Sequence, residues 1–135
     1  PALLDYKSVG MPDVSYHGLK TWCPMFENYC RQLGILYCGK YGQKDGGDDD
    51  YFYVAYNMHW EPHMFGLPHL PKGAKWRVIC NTGDPDAVDL PTDGTGKVPK
   101  NQMMLAVPPR GIVILESFAD PDGEKDAKKN LNRII

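Results

Sequence analysis

The sequence predicts an all-β, two-sheet antiparallel β-sandwich with Greek-key-like connections. Three observations carry this. Glycine (14) and proline (12) fall between short apolar runs, the punctuation of strands and turns rather than of long helices. Six such runs alternate or stay apolar over strand lengths. The chain of 135 residues, with 42% hydrophobic content, has room for one ordinary core.

The strands are expected at Arg31 to Cys38, Tyr51 to Met58, His63 to Leu67, Lys75 to Thr82, Met103 to Val107 and Gly111 to Ser117. The segment Thr21 to Tyr41 is ambiguous by periodicity. Trp22, Phe26, Tyr29, Leu33 and Leu36 fit a helical stripe, yet Gly34 interrupts it and Leu33 to Cys38 also suits a strand. We read a short helix or turn near Pro24 to Asn28, then the strand. Tyr51 to Met58 carries aromatic bulk on both faces, which predicts a central strand. Tyr51 to Leu70 reads as a β-hairpin layer, one strand ending at Asn57, a Trp-Glu-Pro turn and a return strand closing in Leu-Pro. Trp76 lies on the strand after it. Ile112 to Leu115 is continuously apolar, as in a strand with little solvent on either side.

Between these runs, Gly42 to Asp50 reads as a polar turn and Gly83 to Lys100 as a long loop broken by three prolines. The charged end is expected to form a loose turn and a short C-terminal helix. The resulting organisation is an extended or helical lead-in over 1–28, a sandwich over 29–118 and a charged tail over 119–135.

A formal net charge of -2 and a sequence pI near 6.1 argue against nucleic acid and anionic membranes as partners. No apolar run approaches the roughly 20 residues a spanning helix needs, and PALLDYKSVG has no basic-then-apolar leader. Cytoplasmic placement is the expectation. The start at Pro1 reads as a piece of something larger, so an export signal would lie upstream. Cys23, Cys30, Cys38 and Cys80 fit neither a zinc knuckle nor a disulfide scaffold and are expected as reduced, mostly buried thiols.

Candidate chemistry is sparse. His59 and His63 are four apart, but Pro62 rules against the helix that would put them on one face, and no third ligand is signalled; no metal and no cofactor are expected. Asp48, Asp49 and Asp50 lack the alternation and closing glutamate of a calcium loop. Glu27, Glu61 and Glu116 are too scattered to demand a glycosidase pair, and no serine or cysteine sits in a nucleophile pattern. Trp22, Trp60 and Trp76 default to packing, with Trp60 the one whose turn position favours stacking on a sugar ring.

The stretches YVAYNMHWEPHMFGLPHLPKGAKWRVICNTG and VPPRGIVILES resemble the C-terminal β-sandwich of isoamylase-type glycogen-debranching enzymes in the α-amylase superfamily of glycoside hydrolases. The matching features are Asn57 at a strand end, Leu67-Pro68, Trp76 through Asn81-Thr82, and Pro108-Pro109-Arg110 before the last strand. MPDVSYHGLKTW also looks like the linker leaving the catalytic barrel in these enzymes, so the resemblance spans Gly10 to Ser117. Related sandwiches end amylases, branching enzymes and pullulanases; VSYHG and YNMHWEP favour the debranching branch.

The resemblance implies a non-catalytic accessory domain of an α-1,6-glucan hydrolase, whose partner is the catalytic barrel of the same polypeptide and whose catalytic acids lie in that barrel. Val14, Tyr16, His17 and Trp22 are the expected barrel contacts, since they precede the sandwich proper. The competing reading is a carbohydrate-binding module holding α-glucan through Trp60. An independent small hydrolase is a third class, for which the chain offers no catalytic set.

Overall fold

A computed structural model of the chain describes residues 14–25, 30–39, 51–71, 73–84 and 96–120. These residues form seven strands: β1 (Val14–His17), β2 (Gln32–Tyr37), β3 (Phe52–Asn57), β4 (His63–Gly66), β5 (Ala74–Asn81), β6 (Met104–Val107) and β7 (Gly111–Ala119). Five of them pair in the order β1-β2-β3-β7-β5, and β4 pairs with β6 in a second, two-stranded sheet. All pairings are antiparallel. The expected all-β sandwich is therefore present. Its connections are Greek-key-like, because β4 and β6 leave the large sheet and β7 returns between β3 and β5.

All six expected strands form, within one or two residues of their predicted bounds. β3 is the middle of the five, as its two-faced aromatic pattern requires. Two expectations are corrected. Residues 51–70 are not a hairpin, because β3 pairs with β2 and β7 whereas β4 pairs with β6. The turn between them crosses from one sheet to the other. Of the lead-in expected over 1–28, Val14–His17 belongs to the sandwich as its edge strand β1, with Val14 opposite Tyr37 and His17 opposite Gly34. The expected helix near 24–28 falls mostly outside the described residues. So do the polar turn at 42–50, most of the 83–100 loop and the C-terminal helix.

The core lies between the sheets. Leu36, Tyr53, Ala55, Val113, Leu115 and Trp76 point inward from the large sheet onto Phe65, Leu67 and Val107. Tyr53 is fully buried, its ring 6.3 Å from that of Trp76. Its hydroxyl end lies over Gly34, where an added Cβ would collide with the phenol oxygen and the ring carbons next to it. This is why a glycine interrupts β2: the strand gives up a side chain so that its neighbour's aromatic ring can cross it.

The β5 edge is covered rather than left open. Val78 exchanges two backbone hydrogen bonds with Lys97, at 2.6 and 3.1 Å. Beside it the Gln102 side chain mimics a strand: its Oε1 accepts from the Trp76 N–H at 2.6 Å and its Nε2 donates to the Trp76 carbonyl at 3.0 Å. Paired in this way, the backbone groups of β5 are withdrawn from pairing with other chains.

Asn57, fully buried at the end of β3, holds the crossover together. Its Nδ2 donates to the carbonyls of Glu61 (2.9 Å), Pro108 (3.1 Å) and Val107 (3.3 Å), and its Oδ1 accepts from the His59 N–H at 3.1 Å. One amide thus ties the β3–β4 turn to the end of β6.

Gly34→Ala should lower unfolding free energy by about 1–3 kcal/mol in urea melts, and adding Tyr53→Phe should recover part of that loss. The Tyr53 hydroxyl has no hydrogen-bond partner among the described residues, so its removal alone should cost little. Asn57→Ala should cost about 2–4 kcal/mol, because several buried backbone groups lose their partner at once; Asn57→Asp should be no milder, since a carboxylate cannot donate to three carbonyls.

Candidate functional site

The four residues expected to face a missing barrel do not share one environment. On β1, Ser15 and His17 point inward and Val14 and Tyr16 outward, half-buried. His17 is 0% exposed and belongs to the interior, so its expected place at a domain interface is corrected. Its inward position rests on two hydrogen bonds. The Trp22 N–H donates to Nδ1 at 2.7 Å, which leaves the proton on Nε2, 2.9 Å from the Ser15 hydroxyl. Burial holds the imidazole neutral, pushing its pKa down from 6.5 to about 4. Trp22, held in the left-handed region at φ 62° with its ring 4.5 Å from that of His17, is 49% exposed.

The outer face of the five-stranded sheet is apolar over most of its width. Tyr16, Ile35, Val54 and Ile114 stand in one row across four strands. Leu33, Tyr56 and Ile112 form the next row, and Val14, Tyr37 and Phe52 the row on the other side. All are half-buried except Tyr37, which is exposed. Charge enters only toward β5, where Arg77 donates from Nε and Nη2 to one Glu116 oxygen at 3.2 and 3.0 Å and lies over Phe118. A sheet with one face on its core and the other in water normally alternates apolar with polar residues. Here both faces of β2, β3 and β7 are apolar.

Trp60, the expected sugar contact, is 60% exposed in the crossover turn. Its indole is already engaged. The His59 ring stacks on it at 4.1 Å and 24°, and the Arg31 guanidinium lies 5.5 Å from its centroid. Less of its π-surface is open to a pyranose than the exposure figure implies.

The same turn adds a third residue, Glu61, to the His59 and His63 pair that the sequence singles out. Among the described residues, His59, Glu61 and His63 each offer one donor atom, and the three atoms lie within 4.8 Å of one another. His63 Nε2 is 3.1 Å from His59 Nδ1, with the rings nearly perpendicular. Glu61 was legible only as an isolated carboxylate, and the missing signal is the crossover itself. A flat strand also lines i, i+2 and i+4 on one face but spreads its ends roughly 13 Å apart, whereas the tight reversal between sheets draws His59 and His63 together. The turn is pinned by Asn57 and by the Arg110 N–H, which donates to the His59 carbonyl at 2.9 Å.

None of the four cysteines is bridged; Cys38 and Cys80 are buried, Cys30 is half-buried and Cys23 exposed. No helix among the described residues is long and apolar enough to cross a membrane. No family model matches the chain, and no curated protein matches it.

The His17 environment sets a pH dependence. Its folded pKa lies below the unfolded value, so between them the unfolded chain binds more protons than the folded one. The stabilisation from neutral, buried His17 is complete above about pH 6.5 and is lost as pH falls from there through about 4. The loss should be on the order of 3 kcal/mol at full protonation. His17→Gln, which keeps an acceptor and a donor, should flatten this part of a chemical-denaturation series run from pH 7 to 4. An unchanged slope would assign the dependence to other groups.

Proposed function

We propose that this chain is a non-catalytic accessory β-sandwich of a longer, cytoplasmic glycogen-debranching enzyme, packed against the catalytic barrel of the same polypeptide. The observation that supports this reading is the apolar outer face of the five-stranded sheet. A domain that ended in solvent on both sides would leave these rows of Ile, Val, Leu, Tyr and Phe half-covered. A contiguous apolar face that is only partly covered is characteristic of an interaction surface. β1, the first strand of the sandwich, carries Val14 and Tyr16 on that same face, so the segment resembling the barrel linker enters at the face to be covered. Burying it stabilises the parent by roughly 25 cal/mol per Å² of apolar surface before ordering costs.

In this reading the domain adds rigidity, not chemistry. The bond broken is the α-1,6 branch point of a glucan, and the acids that break it belong to the barrel. A second reading, a module that binds α-glucan directly, draws on the exposure of Trp60. The His59 and Arg31 contacts on that ring weigh against it.

The replacement Ile35→Thr/Val54→Thr keeps β-branched side chains while removing apolar surface from the middle of the face. In the isolated chain it should cost at most about 1 kcal/mol and reduce binding of a hydrophobic dye. In the longer polypeptide it should lower the thermal midpoint of the barrel and its activity on branched glucan. A large loss of stability in the isolated chain, with no effect on the barrel, would overturn the proposal. Migration of the isolated chain through glycogen-containing gels should be unretarded. Retardation abolished by Trp60→Ala would favour the binding module instead.

A further inference from the structure

We infer that the β3–β4 crossover is a binding site for a divalent late-transition cation, with zinc the ion to test, through His59, Glu61 and His63. Two imidazole nitrogens and a carboxylate are a borderline donor set of the kind that selects zinc, nickel or copper over magnesium or calcium. Tetrahedral zinc, with bonds of about 2.0–2.1 Å, sets its ligand atoms roughly 3.4 Å apart. His59 Nδ1 and His63 Nε2 stand 3.1 Å apart, and the three donors fit within 4.8 Å. Closing the set around an ion requires side-chain rotation of Glu61, not movement of the backbone.

The backbone of the turn is already fixed from both sides. Asn57 holds the N–H of His59 and the carbonyl of Glu61, and Arg110 holds the carbonyl of His59. His63 is the first residue of β4, in register with Val107 of β6. Ligands held this way need little ordering on binding, which is what separates a built site from a chance group of surface residues. With no cation, the His59 Nδ1 lone pair accepts from the Glu61 N–H at 3.2 Å and faces His63. Ligation exchanges these two contacts for one metal bond. His59 and His63 are half-buried and Glu61 is exposed, so the fourth position opens to solvent and would be filled by water.

A cation here joins the end of β3 to the start of β4, and hence one sheet to the other. Because it binds the folded turn, it raises stability by mass action.

The test is a zinc titration of the full chain at neutral pH, followed by the ring-nitrogen resonances of the histidines and by calorimetry. The ring nitrogens of His59 and His63 should shift, while His17 in the core and His69 after β4 serve as internal references. Binding should be one to one and should raise the thermal midpoint. His59→Gln and His63→Gln should each weaken it by at least about tenfold, and Glu61→Gln should weaken it less. The wild-type resonances decide the matter even if a variant misfolds. Zinc that leaves His59 and His63 unmoved, or binding that persists undiminished in the His59→Gln/His63→Gln chain, would overturn the inference. The latter result would assign the ion to thiols such as Cys23.

Discussion

The buried Asn57 amide is the interaction on which the arrangement of the two sheets depends. β3 and β4 are adjacent in sequence but share no ladder, so nothing in sheet pairing itself fixes the angle at which the chain leaves one layer for the other. Asn57 supplies that constraint by binding the turn that leaves β3 and the carbonyls that end β6. A side-chain amide suits this task because it offers two donors and an acceptor on one short stem. Hydrophobic burial of Phe65 and Val107 then supplies stability, but their position over Tyr53 and Trp76 follows from the clamp.

The interior is organised around accommodation of large rings. Tyr53 requires Gly34 beneath it, and Trp76 satisfies its indole N–H on the Pro68 carbonyl at 2.9 Å. His17 meets Tyr53 edge-on at 5.8 Å and is kept neutral by the same burial. Several polar groups that enter this core find partners in nearby turns, Asn57 on Glu61, Trp76 on Pro68 and His17 on Trp22, while the Tyr53 hydroxyl has none among the described residues. The large rings therefore couple the β1 loop, the β4–β5 connection and the sheet centre. A change at one is felt at the others through contact and not through charge.

Much of the fold was legible because apolar period and turn residues agree: six strands stand where alternation and glycine or proline boundaries put them. What was not legible has physical reasons. β1 is inverted, with polar Ser15 and His17 inside and apolar Val14 and Tyr16 outside, so its pattern gives no inward hydrophobic signal. The two polar residues are tolerated because they bond each other. A hairpin and a sheet-to-sheet crossover share the same strand-turn-strand pattern, and only the long-range partners of β4 distinguish them. Glu61 was missed as the third member beside His59 and His63 for the same cause, since the convergence comes from the crossover and not from any period in the sequence. Trp60 was correctly placed in a turn, but its stacking with His59 and Arg31 required coordinates.

Apolar residues occupy both faces of the large sheet. Its inner face is closed by the β4–β6 pair, a small sheet that covers only part of the larger one. Its outer face carries rows of aliphatic and aromatic residues, with the charged Arg77 and Glu116 pair toward β5. An antiparallel sheet with one face in water usually alternates apolar with polar residues, and β2 and β3 do not. On the proposed reading, the cover for this outer face is the catalytic barrel of the same polypeptide. The inverted β1 strand then has a use: by turning Val14 and Tyr16 outward it extends that face to the sheet's edge, at the cost of placing a histidine in the core. The His59, Glu61 and His63 cluster lies in the crossover turn, at the end of the sheet rather than on either face, where a bound ion would tie the two sheets together away from the proposed docking face.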